Sequence, residues 1–345
     1  MIELFAEYGL FLAKAITILI FVFVLILMIF SFSKKAKAED HFEITNLNKK
    51  YKNMADSLRL ALLPKKDLKK ALKETKKDKK LQHKQEKNAP KSNKKRIFVL
   101  NFLGNIKATA VKHLRKEITA ILSVANSNDE VVVCLENAGG LVHEHGFASS
   151  QLLRIKQKGI PLTVAVDKVA ASGGYMMACV ADKIIAAPFA IVGSIGVIAQ
   201  LPNFNRLLDK HGVDFELMKA GELKRTVTMF GKNTDEDRAH FNEQLEDTHD
   251  LFKEFVKENR PVLEMEKVAT GEHWLATRGI ELKLVDELIT SDDYLLNACN
   301  DADIYEIQYE LPKTISEKLS SSVQMTIDKL FFSWWQKERD SKLFN

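Results

Sequence analysis

Cysteine is scarce: the 345 residues hold three, Cys134, Cys179 and Cys299, at wide and irregular spacing among apolar neighbours. No C-x-x-C pair exists, which removes zinc-ribbon and dithiol redox chemistry and leaves three small buried hydrophobes. An extended basic surface is lacking as well. The net charge is +5, but Pro64 to Lys95 carries 14 Lys against Asp67, Glu74, Asp78 and Glu86. That stretch is therefore +10 and the remainder close to −5. It has no aromatic residue among its lysines and no apolar stripe after Leu72. Without stacking side chains it is a poor nucleic-acid groove, and without apolar area it cannot offset its ordering entropy. It reads as a solvated tether, with no nucleic-acid partner and with attraction to anionic lipid.

What the chain does have is a long apolar run near its start, "AITILIFVFVLILMIFSF", Ala15 to Phe32, broken only by Thr17 and Ser31. At about 1.5 Å per residue it spans about 27 Å, near the thickness of a bilayer core. "AKA" at Ala36 to Ala38 mimics a signal-peptide cleavage site, yet the run exceeds a signal core and is preceded by Glu3 and Glu7 rather than a basic cluster. It reads as an uncleaved anchor that holds the chain to membrane lipid. Lys34, Lys35 and Lys37, followed by Lys49, Lys50 and Lys52, lie on its C-terminal flank and by the positive-inside rule point to the cytoplasm.

From Ile97 onward short apolar runs alternate with amphipathic ones. "IFVLNF" (Ile97–Phe102), "VVVCLE" (Val131–Glu136) and "LTVAVD" (Leu162–Asp167) read as strands, separated by helical patterns over Val111–Ser123 and Phe147–Lys158. Buried strands alternating with helices predict an α/β fold with mainly parallel pairing. Ile184 to Leu201 is apolar enough to suggest a second span, but Pro188, Gly193 and Gly196 cut it into pieces the length of buried strands. Thr234 is a candidate N-cap for a long amphipathic helix carrying Phe241, Leu245, Leu251, Phe252 and Val256. Near the C-terminus Val323, Ile327, Leu330, Phe331 and Trp334 share one helical face, suited to the domain's own core, a neighbouring subunit or a bilayer surface.

"VAASGGYMMACVAD", Val169 to Asp182, places one serine before two glycines and an apolar helix. A serine so placed is a candidate nucleophile beside free helix N–H groups, and equally a candidate N-cap. A nucleophilic serine needs a base. His143 and His145 lie in the Gly loop "GGLVHEHG", with no carboxylate fixed against them and no third ligand for a metal. Lysine serves if burial holds its amine neutral against an ordinary pKa of about 10.4. Lys219 and Lys224 in "FELMKAGELKRTVTMFG" are the candidates.

Five stretches in order, "ENAGGLV", "ASGGYMMA", "VGSIGV", "GELKRTVTMFGKNTDEDR" and "ATGEHWLATRGIELKLVDEL", resemble the signal-peptide-peptidase (SppA-like) family of membrane-bound serine peptidases in its SohB branch. The resemblance runs from about Ile97 to Ile289 and extends to the anchored, Lys-rich N-terminal region. It departs at Ala138, where many members have Pro. It implies a ClpP/crotonase-like superhelical fold, with Ser172 as nucleophile and Lys224 as general base. It further implies an oxyanion hole from the Gly139 and Gly173 amides, Ser194 orienting the lysine, and no metal or cofactor. Plainer roles exist for each: an N-cap for Ser172, a surface lysine for Lys224, a turn for Gly139 and a structural strand position for Ser194.

The implied organisation is an anchor over 1–33, a Lys-rich juxtamembrane tether over 34–95, a serine peptidase domain over 96–300 and a C-terminal segment over 301–345. The implied function is an endopeptidase acting through an acyl-enzyme on membrane-associated peptides or misfolded proteins. It would form a homo-oligomeric ring with shared active sites, on the inner membrane of a bacterium with the domain on the periplasmic side. A crotonase-type acyl-CoA enzyme and a catalytically silent scaffold are the alternatives; a serine-directed probe that modifies Ser172 separates them from a peptidase.

Overall fold

The computed structural model describes residues 2–33, 41–64, 94–221, 224 and 227–310. Helix α1 (Ile2–Ser33) belongs to one compact unit. Its stretch Glu7–Leu25, of mean hydropathy 2.4, is long and apolar enough to cross a membrane by length and composition. Thr17 Oγ1 donates to Ala13 O at 2.8 Å, so its hydroxyl is satisfied within the helix.

The second unit, Phe42–Tyr309, is built on two sheets. Its helices are α2 (Leu47–Leu62), α3 (Val111–Leu122), α4 (Val142–Gln157), α5 (Gly173–Ala178), α6 (Asn205–Lys210), α7 (Asp235–Asn259) and α8 (Ser291–Ala298), with single turns besides. The strands are β1 (His41–Asn46), β2 (Lys95–Leu103), β3 (Glu130–Glu136), β4 (Leu162–Val166), β5 (Val169–Ala171), β6 (Lys183–Ala186), β7 (Ile191–Gly193), β8 (His273–Leu275), β9 (Glu287–Leu288) and β10 (Ala302–Glu310). Seven form one sheet in the order β1-β10-β2-β3-β4-β6-β9, and β10, β2, β3, β4, β6 and β9 pair in parallel. The small sheet β5-β7-β8 has one parallel and one antiparallel pair.

The apolar runs of β2–β4 reflect a sheet covered on both faces. Phe98, Leu100, Phe102, Val131, Val133 and Val164 pack with Leu114 and Ile118 of α3 and Leu152 and Ile155 of α4. The alternate residues Ile97, Val99, Val132 and Ala165 pack with Leu47 of α2 and Leu295 of α8. Short β–α connections leave the loops after β3 and β5 together, where a parallel sheet offers its functional edge.

The α/β class expected from the sequence is present, with strands and helices alternating around a central, mainly parallel sheet. Three elements extend the body past 96–300: β1 and α2 lie within the Lys-rich region, and β10 lies beyond residue 300. The helix expected from Phe147 begins at Val142, so His143 and His145 sit on its first turns and not in a loop. The unfavourable Gly146 is carried by the packing of Ala148, Leu152 and Ile155 further along the helix. Ile184 to Leu201 yields buried β6 and β7, but from Ile198 the chain is exposed and irregular. Most of the tether and the amphipathic segment 323–334 lie outside the described residues.

Candidate active site

Ser172 occupies the turn between β5 and α5 with φ 52° and ψ −120°. A side chain at positive φ costs on the order of 1–3 kcal/mol, and such strain persists only where surrounding bonds over-determine it. Here they do. Ser172 N–H donates to Gly193 O at 2.8 Å, and its carbonyl accepts from Met176 N–H at 2.9 Å. The two glycines after it answer the question of why they are there. A Cβ on Gly174 would lie 2.0 Å from Asn137 O, and one on Gly173 would lie 2.4 Å from His145 Cγ. The helix can enter the core at this depth only without side chains at those positions. The residues of α5 are all buried, and Tyr175 anchors it by donating to Leu284 O at 3.0 Å.

Asn137, just past β3, is the floor under this turn. Its backbone pairs with Val169 O and Ala171 N–H at 2.8 and 3.0 Å, locking the loop of β3 to β5. Its Oδ1 accepts from Gly139 N–H at 2.9 Å and faces His145 Nε2 at 3.3 Å, while Nδ2 approaches Met177 Sδ at 3.4 Å. Gly139, at φ 93°, lies flat against the nucleophile: a Cβ there would be 2.7 Å from Ser172 Cβ and 2.8 Å from Gly173 N. The two expected oxyanion residues are thus adjacent. The Gly139 amide is turned inward to Asn137, and among the described residues Gly173 N–H has no acceptor.

The two histidines diverge. His143 is in solvent near Glu144, and His145 is fully buried with Nδ1 2.9 Å from Leu141 O. His145 therefore supports the turn, with both ring nitrogens facing Leu141 O and Asn137 Oδ1. Neither Asn137 nor His145 stood out as support in the sequence, because their roles come from contacts between elements. Cysteine offers no competing nucleophile: burial pushes the Cys134 thiol up to about 11 and Cys179 up to about 12, so both stay protonated near neutrality.

Ser194, after β7, is the second strained serine, at φ 53°. Its N–H donates to Glu272 O at 2.6 Å and its hydroxyl to Gly271 O at 3.4 Å. Because Gly193 O holds Ser172 N–H, the two serines share one backbone brace. Lys224 takes no part in this brace. It is exposed in the segment between α6 and α7, and among the described residues no hydrogen bond joins it to Ser172 or Ser194. Lys219 is exposed too. It lies close enough to Asp237 to add to the Thr234 hydrogen bonds that hold that carboxyl below the usual range.

The segment that carries both lysines is a closed arm. Asn203 Nδ2 donates to Thr228 O and Gly231 O at 2.9 and 3.1 Å, and Phe230 stacks on Phe204 at 6.0 Å and packs tilted against Phe215 at 5.7 Å. Yet it exposes much apolar surface, with Ile198 at 83% and Met218 at 88%. A cavity of about 390 Å³ lies on the α2 and α8 side of the sheet, lined by Tyr51, Cys134, Asp167 and Ser291, and does not reach Ser172.

Comparison with known proteins gives this geometry a context. The chain matches the family models described as peptidase family S49 N-terminal over residues 3–152 and peptidase family S49 over residues 154–305. It is 56% identical over 228 residues to a protein of Haemophilus influenzae named "Probable protease SohB", covering 66% of this chain and 65% of that one. It is 45% identical over 335 residues to a protein of the same name from Buchnera aphidicola subsp. Schizaphis graminum, covering 95% of this chain and 98% of that one. Among solved structures, a membrane-bound stomatin-specific protease with a substrate peptide aligns at TM-score 0.37 and 14% identity, over 67% of this chain and 99% of that one. The family S49 model runs through the strained serine turn, the N-terminal model covers the chain before it, the Buchnera relative aligns over 95% of this chain, and the chain belongs to peptidase family S49.

Proposed function

We propose that the chain is a membrane-anchored serine endopeptidase that uses Ser172 as nucleophile and Lys224 as general base. The observation that carries this is the strained Ser172 turn, braced on both sides and set beside the unclaimed Gly173 N–H. The amine of Lys224 takes the Ser172 hydroxyl proton as Oγ attacks the peptide carbonyl carbon. The resulting oxyanion is met by Gly173 N–H and by the amide of Gly139 once the latter turns from Asn137. Collapse expels the amine, which leaves with the proton held by Lys224, and an acyl-serine remains. Water, deprotonated by the same lysine, releases the acid and restores the serine. Ser194, tied to the same turn through Gly193, is the hydroxyl we assign to orient the amine once the lysine is brought to the serine.

A lysine base requires desolvation, and Lys224 is exposed among the described residues. The apolar arm around it supports a ring in which the arm of one subunit covers the serine of its neighbour and completes the dyad. Peptide or protein chains at the membrane, including misfolded ones, are the substrates that an anchored body of this kind meets. The test is labelling with a fluorophosphonate probe, which reacts only with an activated serine. Modification of the wild-type chain at Ser172, lost in Lys224→Ala, supports the reading; an unlabelled wild-type chain overturns it.

A further inference from the structure

Helix α2 is amphipathic, and only half of its apolar stripe is used by the body. Leu47, Tyr51, Met54, Leu58 and Leu62 follow one another at i, i+4, i+7, i+11 and i+15, a single helical face. The first turn is docked. Leu47 is in the core, Tyr51 packs against the same cluster, and Asn48 is pinned by Cys299 O, Ala302 O and Ile304 N–H at 3.1, 2.9 and 2.8 Å. Beyond that turn the helix leaves the sheet. Met54, Leu58 and Leu62 are 61%, 64% and 76% exposed on the continuation of the buried face.

The charge on α2 is one-sided. Lys49, Lys50, Lys52 and Arg59 stand against one acid, Asp56, which lies opposite the stripe and pairs with Arg59 at 3.6 Å. Lys50 and Arg59 flank the stripe on its two sides, where their stems run beside apolar surface and their charges reach outward. Thirteen residues link Ser33, the end of α1, to Leu47. That covalent reach is at most about 50 Å.

We infer that the outer half of α2 is a membrane-surface helix that lays Met54, Leu58 and Leu62 into the headgroup boundary of an anionic bilayer. An apolar stripe flanked by cations is the pattern such a surface binds. Anionic lipid contributes about 1 kcal/mol per basic residue near it. A second copy of this chain would meet the same cations with its own and gains nothing from them. The consequence is a second lipid contact: α2, continuous with the sheet through Leu47, brings the body itself to the lipid surface. This rests on the reading of α1 as an anchor.

The experiment uses the full chain in vesicles of phosphatidylcholine with or without about 30% phosphatidylglycerol. A fluorophore is placed at Leu58→Cys or, as the off-stripe control, at Asn53→Cys; the unsubstituted chain gives the background from native cysteines. With phosphatidylglycerol, the label at 58 should be quenched about two-fold or more by doxyl lipid, and the label at 53 by aqueous iodide. Lys50→Glu with Arg59→Glu should reverse the pattern at 58. A label at 58 that iodide reaches as readily as the label at 53 overturns the proposal. So does one shielded from iodide but untouched by doxyl lipid in both vesicles, which identifies a protein cover. A chain that fails to float with vesicles overturns the anchor reading itself, whereas one that floats without lipid quenching at 58 overturns the inference alone.

Discussion

Ser172 is held in a conformation its side chain disfavours, and that separates its chemistry from its cost. Ser172→Ala and Ser172→Gly should both abolish peptide hydrolysis. Gly adopts φ 52° freely, so it should be more stable than Ala by about 1 kcal/mol in thermal or urea unfolding. Equal stability would mean that the turn is not strained. For the base, Lys224→Arg should be as inactive as Lys224→Ala, because a guanidinium cannot give up its proton at accessible pH, while Lys219→Ala keeps activity. The reverse pattern in steady-state assays would move the role to Lys219. Glu117 tests burial instead. It is buried on α3, and desolvation raises its carboxyl from 4.5 to about 7 although it accepts Tyr309 N–H at 2.8 Å. The folded state therefore holds the proton more tightly than the unfolded one. Stability from this group is greatest below pH 4.5 and falls as pH rises to about 7, by about 3 kcal/mol in all. Glu117→Gln keeps the acceptor and should flatten that slope in urea titrations between pH 5 and 8; an unchanged slope would place its origin elsewhere.

At the scale of elements, α7 shows a start that local sequence specifies completely. Thr234 Oγ1 accepts Asp237 N–H at 3.1 Å, and the Asp237 carboxylate accepts Thr234 N–H at 2.9 Å, a reciprocal capping box. Thr234→Ala should cost about 1 kcal/mol. It should also loosen the adjoining arm, seen as faster amide exchange over Asn203–Gly231. Loss of stability without faster exchange would mean that the arm holds itself. This cap was legible because it depends on four consecutive residues, as were β2, β3 and β4, whose apolar runs need no partner to be recognised. Helix α4 was legible only in part, since Gly146 reads as a break and the packing that carries it comes from later residues. Strand β1 and helix α2 were hidden in a lysine-rich context, where one buried Leu47 and one pinned Asn48 decide the outcome. In the site, the order of Gly139, Ser172, Ser194 and Lys224 was legible as a resemblance. The Asn137–His145 floor was not, because it exists only once β3, β5 and α4 have met.

At the scale of the molecule, the proposed pairing of an exposed Lys224 with the strained serine of a neighbour has one consequence that a single subunit cannot imitate. If the arm of each subunit completes its neighbour's site, Ser172→Ala chains still offer an intact lysine and Lys224→Ala chains an intact serine. Each alone builds only broken sites. Random co-assembly in equal amounts makes about a quarter of the interfaces pair an intact serine with an intact lysine, so activity should return to about a quarter of wild type. The apolar surface of Ile198 and Met218 gives the experiment its control. Replacing both with Gln should leave each subunit folded, because neither contributes to the core, yet weaken assembly and lower activity together, with restoration at higher protein concentration. Co-purified mixed oligomers with no recovered hydrolysis would place serine and lysine within one chain. The exposed arm would then have to close over its own subunit when substrate binds.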